Sequence, residues 1–377
     1  MNLLFYLLVF LLVLIVSSTT NKLLPFLPMP LIQILLGIGI GLCLPNNQYH
    51  LDTELFLALV IGPLLFREAQ EADVTSILKH WRIVLYLIFP VIFISALSMG
   101  GLAHVLWASL PLAACVAVGA ALGPTDLVAF ASLSQRFSFP KRVSNILKGE
   151  GLLNDASGLV AFRVALIAWT TGTFSLTQAG TSLAISIVGG FAVGFITALI
   201  NRFLHTFLLS VRATDIASEL LLELSLPLLT FFIAEEIHVS GIIAVVVAGI
   251  LKASRFKKIN LLEAQVDTVT ETVWHTVTFM LNGSVFVILG MELEMIAEPI
   301  LKSALYNKVL LLVSVFLLTF LLFAIRFVMI YGFYAFRIKK LHKSLDKYVK
   351  DMLLLTFSGV KGTVSIATIL LIPSNLE

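Results

Sequence analysis

Apolar residues along this chain come in long runs, each near the roughly twenty residues that a helix needs to cross a hydrocarbon layer of about 30 Å. Measured by that length, the pattern predicts about twelve spanning helices. They cover 2–18, 24–44, 52–68, 83–107, 110–134, 143–170, 180–210, 215–236, 239–253, 272–296, 307–336 and 351–373. Several are long enough to tilt, and 215–236 and 239–253 admit another division. The first run, MNLLFYLLVFLLVLIVSS, has no basic start and no small-residue cleavage pattern, so it reads as a retained first helix.

Polar positions gather in the connections, and the basic ones gather on one side. The odd-numbered connections hold Lys22; Lys79 and Arg82; Arg136, Lys141 and Arg142; Arg212; Lys252, Arg255, Lys257 and Lys258; and Arg337, Lys339, Lys340, Lys343, Lys347 and Lys350. The even-numbered ones hold only Lys302 and Lys308. Because Lys and Arg concentrate in cytoplasmic loops, this alternation predicts an N-terminus outside and basic loops in the cytoplasm. Residues 259–272, INLLEAQVDTVTET, read either as an amphipathic linker along the cytoplasmic interface or as a solvated loop.

Composition supports lipid as the solvent. Of 377 residues 59% are hydrophobic and 12% charged, and the mean hydropathy is +1.02, against roughly a quarter charged in an ordinary globular domain. The fold class is an all-α polytopic membrane protein. Cys43 and Cys115 are too few for a disulfide framework or a metal cluster and read as small apolar residues. The net charge of +3 carries no implication of nucleic acid. Neither an exposed nucleophile arrangement nor a ring-forming ion filter is found, which sets aside enzymes and channels.

A charge near the bilayer centre costs at least ~2.5 to 3.5 kcal/mol, so each one there calls for a partner or a job. Asp126, Glu150, Asp155, Arg326 and Lys361 stand out. Asp126 follows Gly123 and Pro124 in ALGPTDLVAFASL, where the proline removes a backbone donor and the helix should break. Such a break frees carbonyls and a helix N-terminus to hold an ion; the plainer reading is a kink with Asp126 capping the second half-helix. SGVKGTVSIA, 358–367, repeats the pattern around Lys361, which either offsets helix-end dipoles at a crossing or snorkels to the surface. Two interrupted helices in matching places of two halves point to an inverted-repeat transporter. In GEGLLNDASG, 149–158, Glu150 and Asn154 share one helix face, while Asp155 points about a hundred degrees away with Gly151 and Gly158. Asp155 then has room for a bare ion, and Glu150 pairs most naturally with Arg326 of LLFAIRFVMIYG.

These residues resemble the monovalent cation:proton antiporters of the NhaP-like and sodium/hydrogen exchanger type. TDLVAF at 125–130 is similar to that family's TDPVAV, and GEGLLND at 149–155 to its GESLLND. VSGIIAVVVAGI (239–250), LNGSVFVILGMEL (281–293), Arg326 and SGVKGTVS (358–365) follow in order. The resemblance implies a homodimer in a bacterial-type inner membrane, with no cofactor and with Na+ (or Li+, K+), H+ and lipid as partners. It implies a dimerisation domain from 1–82 and from 173–306 with its linker helix. The core would comprise 83–172 as the first repeat and 307–377 as the second, in an inverted-repeat fold with two interrupted, crossing helices. Asp155 would bind cation or proton; Asp126 and the Thr125 carbonyl would shape the site, Asn154 would orient it, and Glu150 and Arg326 would form a structural ion pair. The Asn-Asp pair is that family's mark of electroneutral exchange.

The physics leads to the same mechanism. A desolvated carboxylate holds a proton or a hard cation but not both, and competition for one carboxylate is antiport. Carrying it empty and ionised through the barrier would be costly, which suppresses slippage. The chain departs from the family at Leu127, in place of a proline, and at Gly151, in place of a serine at the ion site. Glu68, beside Arg67, is either near the ion route or in an edge ion pair with Arg67. Relatives usually have thirteen helices, so the second repeat is expected to lack its last one. The alternatives are K+/H+ exchange on the same fold, or a transport-inactive, truncated or accessory membrane subunit.

Overall fold

The computed structural model describes residues 3–24, 26–43, 53–125, 130, 138–172, 176–211, 215–253, 261–302, 308–341 and 348–359. Among these the ordered backbone is helical, and no strand occurs. The first helices are α1 (Leu3–Leu23), α2 (Met29–Cys43), α3 (Thr53–Phe56), α4 (Gly62–Glu71), α5 (Val74–Leu78) and α6 (Trp81–Tyr86). After them come α7 (Ile92–Leu106), α8 (Leu112–Ala121), α9 (Lys141–Thr171), α10 (Leu176–Ser210) and α11 (Ile216–Glu236). The last are α12 (Gly241–Ala253), α13 (Leu261–Lys302), α14 (Lys308–Leu341) and α15 (Val349–Phe357). Two π-helical turns, Leu57–Ile61 and Leu87–Val91, join α3 to α4 and α6 to α7 into continuous rods.

Six stretches among the described residues are long and apolar enough to cross a membrane: Trp81–Leu106, Lys141–Thr171, Ala184–Ser210, Ile216–Glu236, Thr268–Leu293 and Lys308–Arg337. Leu8–Leu23, Met29–Cys43, Leu112–Ala121 and Gly241–Ala253 are shorter apolar helices. The chain turns between α11 and α12 at His238, whose φ is 59°, and Glu235 Oε1 accepts from the Gly241 N–H at 3.2 Å to cap α12. Of the region read as an amphipathic linker or a solvated loop at 259–272, the part from Leu261 is helical and continuous with the following span. Neither Gly nor Pro occurs between Leu261 and Leu281 to break it, and at about 1.5 Å per residue the 42-residue helix is roughly 63 Å long, well beyond a bilayer core.

Helices meet closely where small residues remove bulk. A Cβ on Gly37 of α2 would strike the Val287 carbonyl of α13, and one on Gly290 would strike Ile34 of α2. Gly190 and Gly194 of α10 likewise lie against the Ser240 and Ala244 carbonyls, so that small-residue pattern packs one helix on another. A large apolar cluster joins Phe66 and Ala69 of α4, Leu152 and Leu159 of α9, Val245 of α12 and Trp274 of α13. A second joins the π turn at Leu87 and Ile88 to Ile146 of α9, Ile330 of α14 and Leu355 of α15. At the start of α9, Arg142 lies over the rings of Tyr334 (5.4 Å) and Tyr348 (5.1 Å) and 3.7 Å from Asp351, fastening three helices.

Candidate functional site

The site begins where α8 stops. Ala121 ends the helix, the Leu122 and Gly123 amides close the last turn on Val118 and Ala120, and Pro124 and Thr125 follow without helical structure. Proline supplies no amide to continue the ladder, so the helix stops here. α9 runs directly past this break, because Gly158 carries no Cβ; one there would overlap the Pro124 ring.

α9 aims one polar stripe at the break. Asn154 is fully buried, and its Nδ2 donates to the Thr125 carbonyl at 3.1 Å and also to Thr125 Oγ1. Thr125 Oγ1 donates in turn to Glu150 Oε1 at 3.2 Å. Arg326, on α14, completes the chain with a two-pronged pair, Nη1 to Glu150 Oε1 at 2.6 Å and Nη2 to Oε2 at 2.7 Å. Glu150 is 1% exposed and Arg326 3%. Arg326 Nε donates to the Leu355 carbonyl at 3.0 Å, and a Cβ on Gly359 would come within 2.6 Å of that same nitrogen. The buried charge is thus matched by planar, paired hydrogen bonds, the geometry in which a guanidinium and a carboxylate tolerate low dielectric.

Asp155 lies in α9 directly after Asn154; its side chain falls outside the described part of the structure, as do Asp126 and Lys361 altogether. Glu68 is half-buried on α4, which packs on α12 and touches α9. Arg67, its expected neighbour in an edge pair, bonds Glu71 at 2.7 Å, donates to Gln70 and lies 6.0 Å from the Trp274 ring. Asn154 Oδ1 is buried and accepts no hydrogen bond among the described residues.

Sequence reasoning missed a second buried charge cluster. Lys252 Nζ lies 2.7 Å from Glu223 Oε2 and donates to Asn201 Oδ1 at 2.8 Å, while Gln70 Nε2 donates to the other Glu223 oxygen at 2.5 Å. The signal was available: Glu223 interrupts the apolar run LLLELSLPLL. It missed Ser157 too, a hydroxyl among many in apolar helices, which differs from the rest only in its contacts.

A buried acid, amide and base clustered where an apolar helix stops mark a functional site of a membrane protein. The chain belongs to the sodium/hydrogen exchanger transmembrane family, whose profile matches residues 7–376. It is 34% identical over 362 residues to a sodium, potassium, lithium and rubidium/H+ antiporter of Bacillus pumilus, covering 96% of this chain and 54% of that one. A protein of the same name from Bacillus subtilis is 34% identical over 380 residues, 100% of this chain and 57% of its own. The chain therefore spans somewhat more than half the length of these curated relatives. Its fold is similar to that of the sodium proton antiporter MjNhaP1 from Methanocaldococcus jannaschii at pH 8, with a TM-score of 0.70 at 18% identity over 98% of this chain and 86% of the other.

Proposed function

We propose that this protein exchanges Na+ or Li+ for H+ across a membrane, one for one, by competition of cation and proton for Asp155. The observation that carries the reading is the buried run Asn154–Thr125–Glu150–Arg326 set against the break after α8. Arg326 is neutralised by Glu150, so it does not repel a cation from the neighbouring carboxylate. Asn154 fixes the Thr125 carbonyl and keeps Oδ1 open, an acceptor suited to a hard cation or to the proton of a neutral carboxyl. Asp126 would complete the oxygen shell and Lys361 would face it across the second break.

A carboxylate that carries either ligand crosses the barrier neutralised, and the core formed by 83–172 and 307–377 would rock against the remainder to expose the site alternately. The N-terminus would lie outside, in a bacterial inner membrane, with two copies forming a dimer. The names of the Bacillus relatives favour a second reading, in which K+ is also exchanged; oxygen ligands alone would not forbid it.

The test is proton flux in proteoliposomes with an imposed pH gradient, adding Na+, Li+ or K+ in turn. Cation-dependent collapse of the gradient that is lost in Asp155→Asn is the expected result and names the ion. A folded wild-type protein that moves no proton with any cation would instead indicate a transport-inactive subunit.

A further inference from the structure

On α9 the residues Glu150, Asn154 and Ser157 follow at spacings of four and three, so they form one stripe. The first two account for the pair with Arg326 and the hold on Thr125. Ser157 is 4% exposed, and its hydroxyl reaches two carbonyls: Asn154 in its own helix at 2.8 Å and Ile88 at 3.0 Å. Ile88 stands inside the π-helical turn Leu87–Val91, which contains Pro90. In a regular helix its carbonyl would take the Ile92 N–H. Here that N–H turns to Phe89 instead. A proline in the interior of the rod disturbs the ladder, and a π turn is a common outcome.

We infer that Ser157 is a positioning residue for the cation site, donating to the carbonyl displaced by the Pro90 π turn and so fixing the roll of α9 that sets Asp155. The inference rests on the antiport reading above. On the neighbouring position, Gly158 abuts Pro124. One contact therefore ties α9 to the π turn and the next presses it on the break after α8, which together define its azimuth. Asp155 is two residues from Ser157 on the same rod, so any roll carries both. A roll of about 10° moves an atom some 6 Å from the helix axis by about 1 Å, more than the ~0.5 Å tolerance of a preorganised site. Within a bilayer no water would take the place of the Ser157 hydroxyl at the Ile88 carbonyl, which gives the hydroxyl its leverage.

The test measures cation-dependent proton flux for the wild type, Ser157→Ala, Pro90→Ala and the double variant, with thermal unfolding in detergent confirming that each is folded. Ser157→Ala is expected to raise the KM for the transported cation about tenfold with the maximal rate changed far less, a split that a general loss of folded protein would not produce. Pro90→Ala, by returning the Ile88 carbonyl to a regular ladder, should mimic it, and the double variant should be no worse than either single one. An unchanged KM in Ser157→Ala with the wild type active overturns the inference and leaves the antiport reading intact, as does full additivity of the two effects. A wild type that transports no cation overturns both.

Discussion

Glu150 and Arg326, 176 positions apart in sequence, meet in a two-pronged ion pair at 2.6 and 2.7 Å between α9 and α14. Because both are almost wholly buried, the pair is a constraint more than a source of stability: desolvation offsets much of the attraction, yet either charge alone would be left without compensation. Glu150→Gln or Arg326→Met should therefore destabilise by about 3 to 5 kcal/mol. The double variant should recover part of that loss, as read by thermal unfolding in detergent.

The same argument applies to Glu223 and Lys252, whose charges lie 2.7 Å apart between α11 and α12. Lys252→Met alone should lower stability by about 3 kcal/mol or more. Adding Glu223→Gln should restore most of it, since the amide oxygen can still accept from Gln70 without a stranded charge. A double variant as unstable as the single one would show that the network serves some other need.

Arg163 and Glu235 form a contrasting pair at 3.4 Å, with side chains 45% and 31% exposed. The pair joins α9 to α11 near the ends remote from the basic loops. Arg163→Ala should cost less than about 1 kcal/mol of stability. Glu235→Ala should cost more, because its other oxygen caps α12 at the Gly241 amide. Comparing the two unfolding midpoints separates cap from ion pair.

Asp73 caps α5 from a fully solvated position. Hydrogen bonds from the Ser76 hydroxyl, the Thr75 hydroxyl and the Ser76 amide hold its carboxyl down from 3.8 to about 2. A depressed acid stabilises where it is ionised, so the cap is fully engaged above about pH 3.8 and is lost as pH falls through about 2. Amide exchange at Ser76 should be protected at neutral pH, and that protection should disappear in Asp73→Ala.

Much of the architecture was legible because lipid imposes strict rules. Apolar length located the long described helices, and proline and glycine marked the end of α8. The cluster was legible in kind but not in detail. Glu150 and Arg326 announce themselves as charges in apolar runs, whereas the hydrogen bonds through Thr125 depend on backbone geometry that no residue type encodes. Glu223 was overlooked although it obeys the same rule, since one acid in a long apolar run resembles a helix-end residue until Lys252 is brought beside it. That the segment from Leu261 is helical and not a solvated loop was not legible, because its polar first turns resemble a loop in composition. Ser157 was invisible: its meaning comes from a displaced carbonyl sixty-nine residues away.

The central claim is that cation and proton compete for Asp155, and its most direct test is proton release in weakly buffered detergent solution as Na+ is added to purified protein near neutral pH. The account predicts one proton set free for each Na+ bound, an apparent Na+ affinity that weakens as the solution is made more acidic, and no release from Asp155→Asn. Cation binding without proton release, or equal release from the variant, would contradict it.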